Sequence, residues 1–278
     1  MSSITPVAES SVAARAWSVP AELSYWILRI GAALCFIGHG AFGFITKAAW
    51  VPYFAVVGIP EPLAWRLMPL VGAVDVTVGM MVLFAPRRFA LGYMTIWGLW
   101  TALLRPLSGE PFFETIERTG NFGVPFALLL VSGWPRDLSG WFRSVPPAAF
   151  SGQPGAVSGQ QLALVTRILQ ITTVLLLAGH GSLGAITGKA IFATHYAAAG
   201  LPEGLTAAIG WFELGLAVAV AVRPFVPLLL FVCAWKLATE FLFIAAGAPV
   251  WEVVERAGSY AAPLALAIVL RQAARDGA

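Results

Sequence analysis

Two histidines raise the question of chemistry first. His39 lies in GHGAFGFITK, residues 38–47, and His180 lies in GHGSLGAITGK, residues 179–189. Each comes late in a long apolar run. An ionisable group inside a membrane is costly and usually faces a cavity or a partner. Two equivalent imidazoles at one depth could ligate a haem or a metal ion, or carry protons, one in each half of the chain. The plainer reading is a ring hydrogen-bonded to a neighbouring helix. Asp75 and Glu213 form a second set, each three residues after a glycine, Gly72 and Gly210. They read as mid-helix acids that either pair within their bundle or cycle protons. Arg29 and Arg167, near the starts of the first and fifth helices, are candidate partners. Lys236 and Glu240 stand four residues apart where the first half has Gly98 and Ala102, and Phe243 stands opposite Arg105. That asymmetry suggests either that the second half alone has a charged interior there or that one bundle has diverged into structural support.

The third set is E-x-x-E-R, which occurs as Glu114, Glu117, Arg118 and again as Glu252, Glu255, Arg256. On a helix the first Glu and the Arg are neighbours one turn apart and can pair, and the second Glu shares their face. At a membrane surface such a set could bind a headgroup, a quinone oxygen or a cation. It could equally be a self-satisfied ion pair that holds a re-entrant turn.

Other chemistries are excluded. GHGAFG and GHGSLG both satisfy G-x-G-x-x-G, but a dinucleotide site needs a strand before the motif and a helix after it. Here the motif lies late in an apolar helix, where glycines let neighbouring helices approach. Cys35 and Cys233 sit singly in apolar runs with no C-x-x-C, which argues against thiol redox chemistry and a cysteine zinc site. The net charge of +3 is scattered rather than striped, so it points to lipid headgroups and membrane orientation and away from nucleic acid. No motif supports hydrolysis or phosphoryl transfer.

The elements that carry these residues follow from composition. The chain has 278 residues, of which 59% are hydrophobic and 11% charged, against about 25% charged in soluble domains. The apolar residues fall in blocks of bilayer-spanning length. The expected helices are 23–45, 63–84, 89–107 and 121–134, then 162–186, 205–222, 225–246 and a last one ending near 270. Residues 109–122 and 247–260 read as short interfacial or re-entrant segments.

The second half repeats the first. Gly109–Pro125 and Gly247–Pro263 agree at seven of seventeen positions without a gap. Gly58-Ile59-Pro60-Glu61 matches Gly200-Leu201-Pro202-Glu203. Internal duplication follows. The expected fold is all-α: a polytopic membrane protein of eight transmembrane helices arranged as two tandem four-helix bundles. Its parts are a cytoplasmic arm, 1–20; a first repeat, 21–135; a Pro-, Gly- and Ser-rich flexible linker, 136–160; and a second repeat, 161–272. Four helices per repeat make the repeats parallel, related by an axis along the membrane normal. Arg15, Arg87, Arg88, Arg136, Arg143, Arg223, Arg271 and Arg275 fall on one side, which puts both termini in the cytoplasm of an inner (plasma) membrane.

Arg29, His39-Gly40, the Gly58-Ile59-Pro60 turn and Gly72 to Asp75 together resemble the DoxX family of small four-helix membrane proteins. Arg167, His180-Gly181, Gly200-Leu201-Pro202 and Gly210 to Glu213 resemble it again, so the chain looks like two DoxX-like units fused. Lys47 and Lys189 come a few residues later than that pattern has its lysine. The family takes its name from a subunit of a thiosulfate:quinone oxidoreductase. The resemblance implies a membrane redox protein that deals with quinone and with a separate redox partner chain. Two functions stand side by side at this point. One is a quinone-linked redox component, with quinone or haem as cofactor. The other is a non-enzymatic transporter or partner-binding scaffold.

Overall fold

The computed structural model describes residues 8–145, 147, 159–202 and 204–276. Glu203 and about half of the expected linker lie outside the described residues. The first half holds α1 (Ala8–Phe44), α2 (Val51–Val56), α3 (Glu61–Phe84), α4 (Arg88–Leu107), α5 (Phe113–Glu117) and α6 (Thr119–Val131). After α7 (Leu138–Phe142), the second half repeats the order as α8 (Gly159–Ala185), α9 (Ala190–Ala198), α10 (Leu205–Val222), α11 (Val226–Ala245), α12 (Trp251–Glu255) and α13 (Ala257–Asp276). No β-strand occurs among the described residues.

Two expectations shift. α1 reaches back to Ala8, into the segment read as an arm, because the Ala-rich stretch there has intrinsic helix propensity. The start of the linker is docked. The α7 turn is capped by Asp137, whose carboxylate accepts from Gly140 N at 2.7 Å. Val145 N then bonds Pro86 O at 2.9 Å, and Tyr25 donates its hydroxyl to Val145 O at 2.6 Å.

Among the described residues, five stretches are long and apolar enough to cross a membrane: Glu22–Phe44, Glu61–Phe84, Gln160–Ala185, Leu205–Val222 and Val226–Ala245. The three other expected spans are also helical. α6, however, has only 13 residues, or about 20 Å at 1.5 Å per residue, short of the roughly 30 Å hydrocarbon core. Polarity is distributed as in a membrane-embedded protein. Leu70, Ile96, Trp211, Val218 and Phe241 point outward, while Glu114, Glu213, Lys236 and Glu240 are buried to about 1% exposure or less. A soluble fold shows the reverse.

The packing differs from two closed bundles set side by side. Within each half α1 lies on α3 and α8 on α10, and α4 and α11 lie on α6 and α13. The central helices also trade partners across the halves: α1 packs on α12 and α13, and α8 packs on α5 and α6. Glycine makes this exchange possible. An added Cβ at Gly38 would lie 2.4 Å from Glu255 N, and one at Gly179 would lie 2.2 Å from Glu117 N. The second glycine of each motif turns to its own half, Gly40 against Gly72 O and Gly181 against Gly210 O. At the centre Gly120 and Gly258 meet backbone to backbone. The G-H-G spacing therefore places one glycine against each half, with the histidine between them.

This packing sets an expectation for stability. Gly179→Ala forces a methyl into the α5 backbone and costs about 1–3 kcal/mol or more. Gly215→Ala, in α10 with nothing within 4 Å of the new methyl, adds about 0.5–1 kcal/mol of stability by removing backbone freedom. Thermal unfolding of the two variants in detergent should move in opposite directions.

Candidate functional site

Each re-entrant segment is a broken helix. α5 stops at Arg118 and α6 restarts at Thr119, while α12 stops at Arg256 and α13 restarts at Ala257. The arginine closes the break by donating to the carbonyl of the residue four before it. Arg118 reaches Glu114 O at 3.1 Å and Arg256 reaches Glu252 O at 2.9 Å. The same guanidinium nitrogen also holds the carboxylates. Arg118 lies 2.6 Å from Glu114 and from Glu117; Arg256 lies 2.6 Å from Glu252 and 3.0 Å from Glu255. Non-helical backbone at membrane depth survives only where protein or water satisfies it in this way.

The charges are then shared between the halves. Lys47, past the end of α1, pairs with Glu252 of the second half at 2.7 Å. Lys189, past the end of α8, pairs with Glu114 of the first half. Arg256 reaches Glu117 at 3.7 Å and Glu240 at 3.0 Å. Glu114, Glu117, Glu252 and Glu255 are each under 10% exposed. This corrects the expected interfacial site: the E-x-x-E-R elements form a buried, mutually neutralised core and leave no open carboxylate pair for a headgroup.

In the second half the mid-helix acid is fully engaged. Glu213 on α10 is bonded by His180 Nδ1 and accepts from Trp235 Nε1 on α11 at 2.9 Å. The His180 ring packs on Phe192. Lys236 and Glu240 fill the adjoining interior as an ion pair at 3.1 Å, each 1% exposed. His195 and Phe243 pack ring on ring beside them, 3.9 Å between centroids.

The first half has the same frame with different contents. Gly98, Ala102 and Arg105 replace Lys236, Glu240 and Phe243, and Asp75 replaces Glu213 with one methylene less. This half holds a cavity of about 260 Å³. Its walls are Leu67, Leu70 and Val71 of α3, Trp97, Trp100 and Leu104 of α4, and Trp50, Tyr53 and Phe54 before and within α2. His39, Asp75, Arg105 and Arg118 supply its polar atoms. His39 has turned from Asp75. Its Nδ1 lies 3.7 Å from Glu255, and its ring stacks on Trp50 at 6.0 Å. Asp75 is 3% exposed, and its Oδ1 has no hydrogen-bond partner. Trp97 sits beside it, but its Nε1 is likewise buried and unbonded. At the mouth Arg105 pairs with Glu110 at 3.0 Å, and Tyr53 donates to the same carboxylate.

The other expected site residues resolve as follows. Arg29 does not pair with Asp75. It caps the end of α3, donating to Val82 O at 2.8 Å and Leu83 O at 2.6 Å. Arg167 is exposed and is not its counterpart. Gln170 is, since its amide donates to Val220 O at 2.9 Å and Ala221 O at 3.1 Å on α10. The 141-residue offset between His39 and His180 maps position 29 onto 170. His39 and His180 have separate carboxylate partners on different helices, so no contact joins them into one ligand pair. Among the described residues no group of three or more His, Cys, Asp or Glu is placed to hold a metal ion. Sequence reasoning missed Trp97, Trp100, Tyr53 and Glu110.

The broken-helix core has a pH signature. Burial opposes ionisation of Glu255, but Lys47, His39, Arg256 and Arg118 outweigh it and bring its carboxyl down to about 2 from the ordinary 4.5. Its contribution to stability is complete above about pH 4.5 and is lost as the pH falls from there through about 2. Melting temperatures in detergent should therefore drop as the pH falls below 4.5. Glu255→Gln should melt lower at pH 7 and show a shallower acid drop. Compared with known protein families, curated proteins and solved structures, the chain matches none.

Proposed function

We propose that this chain is an integral inner-membrane protein of DoxX type, two fused four-helix units crossing the bilayer eight times with both termini in the cytoplasm, and that it is a quinone-linked redox component. The observation that carries this reading is the first-half cavity. It is a mostly apolar chamber whose polar end offers a buried, unbonded carboxylate, Asp75, close to an imidazole, His39. Apolar pockets with a few converging polar groups are the usual form of a small-molecule site. α3 packs on α1 and α4 on α6, and the two meet one another only sparsely beside the cavity.

A bound quinol would supply two electrons to a separate redox partner chain and two protons to this site. Asp75 and His39 are the acceptors, and the Glu255 carboxylate, 3.7 Å from His39, steadies the imidazole once it is protonated. Trp50 holds the imidazole in place by stacking. The aromatic walls exclude water.

One observation favours a second, non-enzymatic reading as a transporter or scaffold. All the E-x-x-E-R charges are consumed by pairing, so the polar core serves structure and the cavity alone is left for cargo. The two readings part in one experiment. Detergent-purified protein is extracted with organic solvent for mass spectrometry, and its absorption is recorded oxidised and dithionite-reduced. Quinol, recovered as quinone after oxidation in air, should be extracted from the wild type and be several-fold depleted in Val71→Trp, which fills the cavity from α3. A colourless protein carrying only phospholipid would move the assignment to the carrier reading. A reducible haem band lost in His39→Phe would replace both.

A further inference from the structure

The first-half cavity is more selective than an apolar chamber with one acid. Two buried polar atoms of opposite kind lie side by side there without partners: Asp75 Oδ1, which accepts, and Trp97 Nε1, which donates. Unmet buried groups are rare in folded proteins and each costs about 1–3 kcal/mol. In the second half the equivalent acid, Glu213, is bonded. There Trp235 Nε1 donates directly to Glu213 at 2.9 Å, and His180 supplies the second bond. Asp75 is one methylene too short to make either contact. In the second half Lys236 and Glu240 are buried as an ion pair; in the first half Gly98 and Ala102 stand at those positions.

We propose that this cavity recognises a hydroxyl group on a lipophilic body, the O–H donating to Asp75 and its oxygen accepting from Trp97. The inference rests on the reading of the cavity as a ligand site and names the chemistry that the site selects. A hydroxyl is both donor and acceptor, a carbonyl or ether only accepts, and an ammonium only donates. Toward the ionised carboxylate, a carbonyl head answers Trp97 and leaves Asp75 unmet, while an ammonium head does the opposite. A hydroxyl answers both. The body lies against Trp100, Leu67 and Val71. A site built to hydrogen-bond a hydroxyl rejects the analogue that lacks it, because the site's own groups are then left unpaired.

The test is equilibrium dialysis of the detergent-purified full chain against four probes of one shape: 4-phenylbutanol, 4-phenylbutylamine, 1-methoxy-4-phenylbutane and butylbenzene. The alcohol should bind about tenfold more tightly than the ether or the amine, one hydrogen bond's worth, and butylbenzene should bind most weakly. Trp97→Phe should erase the alcohol's advantage over the amine, and Asp75→Leu should erase its advantage over the ether. The wild-type ranking decides the matter even where a variant does not fold. Equal binding of all four probes, abolished by Val71→Trp, would overturn hydroxyl recognition and keep the cavity as a ligand site. The amine binding most tightly would overturn it in favour of a cation site. No saturable binding of any probe would remove the ligand-site reading itself.

Discussion

The structure depends on one constraint: buried charges must cancel locally, and each broken helix draws a cation from the other half. Each broken helix brings two glutamates and one arginine, a net deficit of positive charge. The missing cation comes from the lysine after the central helix of the other half, Lys47 for Glu252 and Lys189 for Glu114. A buried pair that loses one partner leaves an uncompensated charge, which is far more costly than a lost surface ion pair. The halves are thereby committed to each other. Two self-sufficient bundles would need no such exchange.

That commitment explains the glycines. For Lys47 and Lys189 to reach their partners, α1 and α8 must lie almost in contact with the backbones of α12 and α5. Only residues without a Cβ permit it at Gly38 and Gly179. Membrane helices associate through close packing and polar contacts, because lipid supplies no hydrophobic drive between them. Here the two needs coincide in one motif: glycine gives the approach, and the adjacent histidine meets a carboxylate at the seam. His39 meets Glu255 across the halves, and His180 meets Glu213 within its own. The motif is the same and the partner differs. The acid that could have met His39 is one methylene shorter than the acid that meets His180.

That difference also separates the roles of the halves. The second half closes on itself around Lys236, Glu240, His195 and Phe243. The first half keeps a chamber lined with aromatic side chains. A frame held rigid by the shared charge core can tolerate an opening on one side, because the opening lies beside the core and not in it.

Much of this was legible in the chain itself. Apolar block length gave the helices, since a segment that spans hydrocarbon must be long and apolar whatever it packs against. The recurrence of Gly-Pro-Glu-Glu-Arg-Gly-Pro between residues 109–125 and 247–263 marked the matching turns, because spacing survives in one dimension. The i,i+4 pairs Glu114–Arg118 and Lys236–Glu240 followed from helix geometry alone. What the tertiary structure decided was every partner more than one turn away. Spacing does not reveal that Lys47 crosses to Glu252, that Arg29 caps carbonyls instead of pairing with Asp75, or that Gln170 and not Arg167 is its counterpart. It does not separate a mid-helix acid that is satisfied from one that is not, as the Asp75 and Glu213 pair shows. A cavity is an absence of atoms between helices. It depends on how far apart packing holds α3 and α4, a distance set by contacts that each makes with other parts of the chain.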